Sequence, residues 1–216
     1  MTGFITSLGD GTTIHLRPVI PEDRERIAVG VRELSPDSRY FRFFNAQPVL
    51  ADDHLHKLAD IDQETHVAWM ALVPRITGDA AIGIGRFARD KEEPMRADLA
   101  LTVVDSWQHR GVGTMLLALL CCIAGEKGLR ILDASVLPEN RQMIAWFLRI
   151  GANMRVEEGL CSFHFAVPSM ESLGQPGAQQ TELHAAMLKI ATAMRNSIPP
   201  PDQGPPDGRI AISSNL

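Results

Sequence analysis

At 216 residues, with 45% apolar and 22% charged residues, the chain has material for one full domain with a sizeable core and a tail. A formal net charge of −5 gives a nucleic-acid partner no compositional support, and no run reaches the length of a membrane span, so no membrane partner is expected. The three cysteines, Cys121, Cys122 and Cys161, form no C-x-x-C pattern and the N-terminus lacks the regions of a signal peptide; buried reduced thiols in a cytoplasmic protein are expected.

Residues 1–12, with Gly9-Asp10-Gly11, read as a loose lead-in, and Thr13–Arg17 alternates as a first strand. A helix is expected over Glu22–Leu34, its acidic start suiting the helix dipole. Ser35 as N-cap and Pro36 at the first helical position open a second, short helix carrying Tyr40, Phe41, Phe43 and Phe44. Asp52–Leu58 is a third helical segment. His66–Val73 and Ala80–Ala88 read as two strands of a hairpin around Gly78-Asp79. A charged turn over Asp90–Arg96 leads into a half-buried strand at 98–104. Gln108–Gly113 is a basic, glycine-rich turn, and the apolar run from Met115 begins a helix that stops near Gly128. Arg130–Leu137 is a buried strand. Pro138-Glu139 open a helix to Ile150, ended by Gly151, and strands around Met154–Glu157 and Cys161–Val167 close the domain. Residues 169–216 form a low-complexity tail with one amphipathic helix (181–194) and a proline-rich end expected to be disordered. Deleting this tail is expected to leave the fold intact.

The stretch from Asp98 to Leu120 is the most informative. A strand, a tight glycine-rich turn and a long helix aim several backbone N–H groups at one spot, at the positive end of a helix dipole. That is an anion site suited to a pyrophosphate. Gly111 and Gly113 read as positions where a Cβ would block the approach of a ligand. His54-x-His56 has no third ligand, and no metal is expected.

Gln108-His-Arg-Gly-Val-Gly113 matches the Q/R-x-x-G-x-G/A signature of the GCN5-related N-acetyltransferases (GNATs), and the order of elements matches over about residues 13–167. The resemblance implies an α/β (α+β) fold. Its sheet is mixed and mostly antiparallel, with flanking helices and a splayed parallel strand pair. More narrowly, Leu34-Ser-Pro-Asp-Ser-Arg-Tyr-Phe-Arg-Phe-Phe44, Asp105-x-x-Gln108 and Leu137-x-x-Asn140-x-x-Met143 look like the acetyltransferase domain of Pat-type bacterial protein lysine acetyltransferases. Those enzymes usually carry a second, regulatory domain; 216 residues leave no room for one, and regulation of that kind is not expected.

By this resemblance the cosubstrate is acetyl-CoA. Its pyrophosphate falls to the backbone of Gln108, His109, Arg110, Gly111, Val112, Gly113 and Thr114. Arg110 adds charge there or is a solvated arginine. The pantetheine arm pairs with Leu101, Val103 and Val104, and an N–H near Val103 faces the thioester oxygen. Asn140 binds the arm or bonds the local backbone at a helix start. Asp98 stands where Pat-type enzymes have a glutamate base; the plainer reading is a strand-end aspartate in solvent or paired with Arg96. Phe147 stands where many members have a tyrosine that protonates the leaving thiolate, a role it cannot fill. The acceptor pocket is expected from Glu22–Phe44. Its acidic residues (Glu22, Asp23, Glu25, Glu33, Asp37) could attract a lysine, but they alternate with arginines as a mixed solvated face would. The expected activity is acetyl transfer to an amine, preferably a protein lysine. The alternatives are a small-amine or amino-acid acetylase and a non-catalytic acyl-CoA sensor; a homodimer is the assembly considered.

Overall fold

The computed structural model describes residues 3–44, 50–76, 78–168 and 181–197. Eight strands form one sheet: β1 (Phe4–Ser7), β2 (Thr13–Pro18), β3 (His66–Val73), β4 (Ala80–Arg89), β5 (Arg96–Val103), β6 (Ile131–Val136), β7 (Asn153–Glu157) and β8 (Leu160–Ala166). Their order is β1-β2-β3-β4-β5-β6-β8-β7. Every neighbouring pair is antiparallel except β5–β6. Among the described residues six helices flank it: α1 (Arg24–Arg32), α2 (Pro36–Phe43), α3 (Asp52–Ala59), α4 (Val112–Glu126), α5 (Arg141–Arg149) and α6 (Glu182–Asn196). This is the mixed, mostly antiparallel sheet with a parallel pair that the sequence implied.

β3 is buried on both faces, and its alternation divides the core. Val67, Trp69, Ala71 and Val73 join the large cluster under α4, while Ala68, Met70 and Leu72 join a smaller one with Ile27 and Val31 of α1. From Val112 to Ala124 every residue of α4 except Gly113 is buried. A helix apolar all round needs cover on all sides. The sheet supplies one side, closely, because β4 has glycines beneath it: a Cβ on Gly85 would lie 2.9 Å from Leu120. α6 supplies another side, burying Met187, Ile190, Ala191 and Met194. Burial pushes the Cys122 thiol up to about 12 and raises Cys121 too, so both stay protonated at neutral pH.

Two expectations fail here. The lead-in contains a strand: Phe4 is buried and β1 pairs with β2 from Phe4↔Leu16 to Ser7↔Thr13. Four residues are too few to show an alternation pattern. The tail helix is part of the core, so deleting 169–216 would strip a face of α4. Boundaries shift less. Residues 21–23 form a 3-10 turn before α1, α4 begins at Val112, and α5 begins at Arg141 with Asn140 as its N-cap. The tail's expected disorder lies outside the described residues.

Candidate active site

The parallel pair β5–β6 is joined at only three register positions, Arg96↔Ile131, Ala97↔Leu132 and Asp98↔Asp133. Beyond them β5 stays with β4 as far as Val103, and β6 stays with β8 as far as Val136. The two strands therefore fork, and one edge of β5 opens into the gap. Alternation says which groups it offers. Val104 N–H donates to Ile82 O at 3.0 Å, and Asp90 N–H donates to Arg96 O, so residues 96, 98, 100, 102 and 104 turn their backbone toward β4. Leu101 and Val103 turn theirs toward the gap. Val104, expected as a third backbone partner there, is already taken by β4.

The gap leads to the start of α4. Gly111 precedes the helix at φ 87°, a left-handed conformation that favours glycine. An added Cβ there would meet no protein atom within 4 Å, so the backbone conformation, not packing against the protein, favours glycine here. At Gly113 a Cβ would lie 3.4 Å from the Trp146 ring and 3.8 Å from Val103, ordinary contacts. No side chain caps α4 and its first turn holds no acidic residue. Its first intrahelical bond is Met115 N–H to Gly111 O at 3.0 Å, leaving the N–H groups of Val112, Gly113 and Thr114 without helical acceptors. An anion fits this end.

The side chains of the turn serve other ends. Gln108 Nε2 donates to Val103 O at 3.2 Å and to Ser38 Oγ at 3.3 Å. Asp105 accepts from Ser35 N–H and Ser38 Oγ, each at 3.0 Å. Asp105-x-x-Gln108 thus pins α2 to the turn. His109, at φ 59°, bonds Gln142 of α5. Arg110 is turned away from the helix start. It donates to Asp10 Oδ2 at 2.7 Å and to Thr12 Oγ1, and its guanidinium stacks on Trp107. Val112 is core, and Thr114 Oγ1 donates to Glu182 at 3.3 Å. Asn140 Oδ1 accepts from Met143 N–H at 3.1 Å, the local bond of a helix cap. Phe147 is buried edge-on against Phe163 and Phe165.

Asp98 stands at the fork, its side chain exposed. Arg96 does not pair with it: its Nε and Nη2 both donate to Asp133 at 2.9 Å, and His164 bonds the same carboxylate. Partial burial and the charges of Asp133 and Asp90 push the Asp98 carboxyl above its ordinary value, against a smaller pull from Arg96.

A family model described as an acetyltransferase (GNAT) domain matches residues 13–153. The chain belongs to the GNAT acetyltransferase family. An acetyltransferase of Pseudomonas aeruginosa is 34% identical over 144 residues, covering 65% of this chain and 75% of that protein. Acetyltransferase Pat of Mycolicibacterium smegmatis is 32% identical over 204 residues, covering 90% of this chain, which spans 59% of that protein. The solved GNAT domain of S. lividans PAT has a TM-score of 0.70 and 30% identity, covering 76% of this chain and 96% of that one.

On the other face of the GNAT sheet, α1 and α2 cover a small cavity of about 40 Å³. Arg26, Arg42, Phe43, Ile84, Arg86 and Thr102 are among its lining residues. It shares its β5 face with Asp98, through Ala100 and Thr102. The helices are those expected, but the lining charge is not. Glu22, Glu25, Glu33 and Asp37 are exposed, and Asp23 is spent on Arg17 and Arg26. Arg86 was missed because its strand reads as apolar. Asp133 and His164 were missed because only strand register brings them beside Asp98. Among the described residues no group of three or more side chains could hold a metal ion, and no helix is long and apolar enough to cross a membrane.

Proposed function

We propose that this GNAT acetyltransferase uses acetyl-CoA and transfers its acetyl group to an amine by direct attack. The carrying observation is the fork: it opens at Asp98, exposes the Leu101 backbone and the Val103 N–H, and ends at an uncapped helix start. Acetyl-CoA supplies an activated thioester. The N–H groups of Val112, Gly113 and Thr114 bind its pyrophosphate, with Gln108, His109, Arg110 and Gly111 shaping the turn. The Leu101 and Val103 backbone pairs with the pantetheine arm, and an N–H of this edge stabilises the oxyanion. Asn140, its Oδ1 spent on the cap, offers its amide N–H to the arm.

Asp98 is the base. A lysine-like amine, with reference pKa near 10.4, costs about 4.6 kcal/mol to deprotonate at pH 7, so a base of raised pKa beside it assists. Arg96 and His164 restrain Asp133, and the Asp133 charge keeps Asp98 basic.

A protein lysine is the acceptor favoured by the Pat-type resemblance of Leu34–Phe44 and by the similarity to Pat enzymes. A small amine or amino acid is the second reading, favoured by Arg42 and Arg86 in the cavity. Thiol release from acetyl-CoA, measured against lysine peptides and small amines, tests both. In that assay Asp98→Asn is expected to lower kcat about 10²-fold or more at neutral pH with acetyl-CoA affinity unchanged. An unchanged rate would make Asp98 structural. With Asp98 as base, the wild-type rate falls on acidification at a pH above the ordinary aspartate value, because its carboxyl is raised.

A further inference from the structure

Three arginines line the cavity under α1 and α2, and among the described residues only Arg26 meets a carboxylate. Arg26 is paired with the buried Asp23. Arg42 donates its Nε to Thr102 Oγ1 at 2.9 Å and lies over the Phe43 ring, while Arg86 donates to Leu58 O at 3.0 Å. Among the described residues neither meets a carboxylate, and residues 45–49, which follow α2, contain none. Burial pushes the Arg86 guanidinium down to about 10, helped by the like charge of Arg42, and burial lowers Arg42 as well. Sequestered guanidinium groups are ordinarily paired, since an unpaired one loses hydration without recompense. Here two of them, held by neutral oxygens alone, line one cavity with donors to spare.

The cavity lies where an acceptor would enter. Across the β4–β5 register Arg86 stands opposite Ala100, and Arg42 bonds Thr102, the next residue along on that face. Asp98 is two residues from Ala100 in the other direction, roughly 7 Å by strand rise. One strand face therefore carries a base at the fork and two cations beside it.

We propose that Arg42 and Arg86 form a carboxylate subsite, so that the acceptor is a small molecule bearing both an amine and a carboxylate. This rests on the acetyl-transfer reading and, of its two acceptor readings, takes the second, an amino acid, in place of the protein lysine. Arginine forks fit a carboxylate in two-point contact. The carboxylate seats between the guanidinium groups, and the amine extends toward Asp98 and the thioester. A lysine side chain, cationic and without an anion of its own, gains nothing from the pair and is repelled by it.

Binding can be read without turnover. Calorimetry would compare N-acetylglycine, N-acetyl-β-alanine and 4-acetamidobutyrate with their carboxamides. At least one acid is expected to bind tenfold or more tightly than its amide, and Arg42→Gln and Arg86→Gln are each expected to cut that advantage below threefold. Melting of the variants should be unchanged or raised, since each loses an unpaired, sequestered charge. If no acid exceeds its amide, or the advantage survives both substitutions, the proposal is wrong. If either variant melts lower while keeping the advantage, that arginine is structural and the proposal is likewise overturned. Thiol release on the parent amines then separates the two layers. Turnover of a lysine peptide above every carboxylated amine overturns the substrate class. No thiol release with any amine, beside intact carboxylate binding, counts against the acetyl-transfer reading alone.

Discussion

Under α4 the sheet is dry: Leu116, Leu117, Leu119 and Leu120 are fully buried, and the side chains around them are apolar. On its other face, Arg17 and Arg86 of the sheet meet Asp23, Arg26 and Arg42 from the 3-10 turn, α1 and α2, and no residue of α2 is buried. The first face is rigid packing that holds a fixed turn at the helix start. The second is a thin cover over charge. On the proposed acetyl-transfer reading the donor sits at the helix start that this packing fixes. On the same reading the acceptor is selected by charge and room, and those lie on the face that packs least.

The strongest way to break this contrast is to remove α6. A fragment ending at residue 180 loses the burial of Met187, Ile190 and Met194, worth about 1.5–3 kcal/mol each, a sum comparable to the whole stability of many domains. It is expected to unfold or precipitate. A fragment that melts cooperatively at the full-chain midpoint would put α6 outside the core.

On the charged face Asp23→Asn comes next. Its carboxylate is fully buried and takes two hydrogen bonds of 2.6 Å from Arg17, with Arg26 also bound, so the loss is expected at about 3–5 kcal/mol near pH 7. Burial pushes this carboxyl up, but the bonds from Arg17, Ile20 N–H and Arg26 outweigh it and hold it below the ordinary value. The stabilisation is therefore complete above the unfolded aspartate pKa, about 3.9, and is lost as pH falls through the lower native one. Denaturant midpoints of wild type and variant should converge on acidification; a constant gap would mean the charge is not what matters.

Smaller effects sharpen the reading of the cradle. Asn140→Ala should cost about 1 kcal/mol as a lost cap and raise the acetyl-CoA KM severalfold. An unchanged KM beside the lower melting point would leave only the cap. Arg110→Ala should change neither melting nor acetyl-CoA KM by much, since its guanidinium is held by the exposed Asp10. A tenfold rise in KM would mean that Arg110 leaves Asp10 for the phosphates.

The turn and helix start proposed as the cradle were legible because their signals are local. Gly111, the basic turn and the apolar run behind it lie within one short stretch, and φ, dipole and helix start all follow from neighbours in the chain. The role given to Arg110 was not legible: its partner Asp10 is a hundred residues away, on a turn between strands of which one, β1, is too short to show a pattern. The same distance hid α6, whose amphipathic stripe was plain while its docking site on α4 was not.

By itself the sequence determined the order of elements from β2 onward, the family to which they belong and the glycine-led start of α4 that we propose as the anion site, because periodicity, capping and turn chemistry act between residues a few positions apart. Only the tertiary structure decided where the strands fork, that Asp133 and not Asp98 takes Arg96, and that Arg42 and Arg86 share one cavity without a carboxylate partner among the described residues. Those depend on strand register and on helix placement over the sheet, where residues far apart in the chain come within reach of one another's charge.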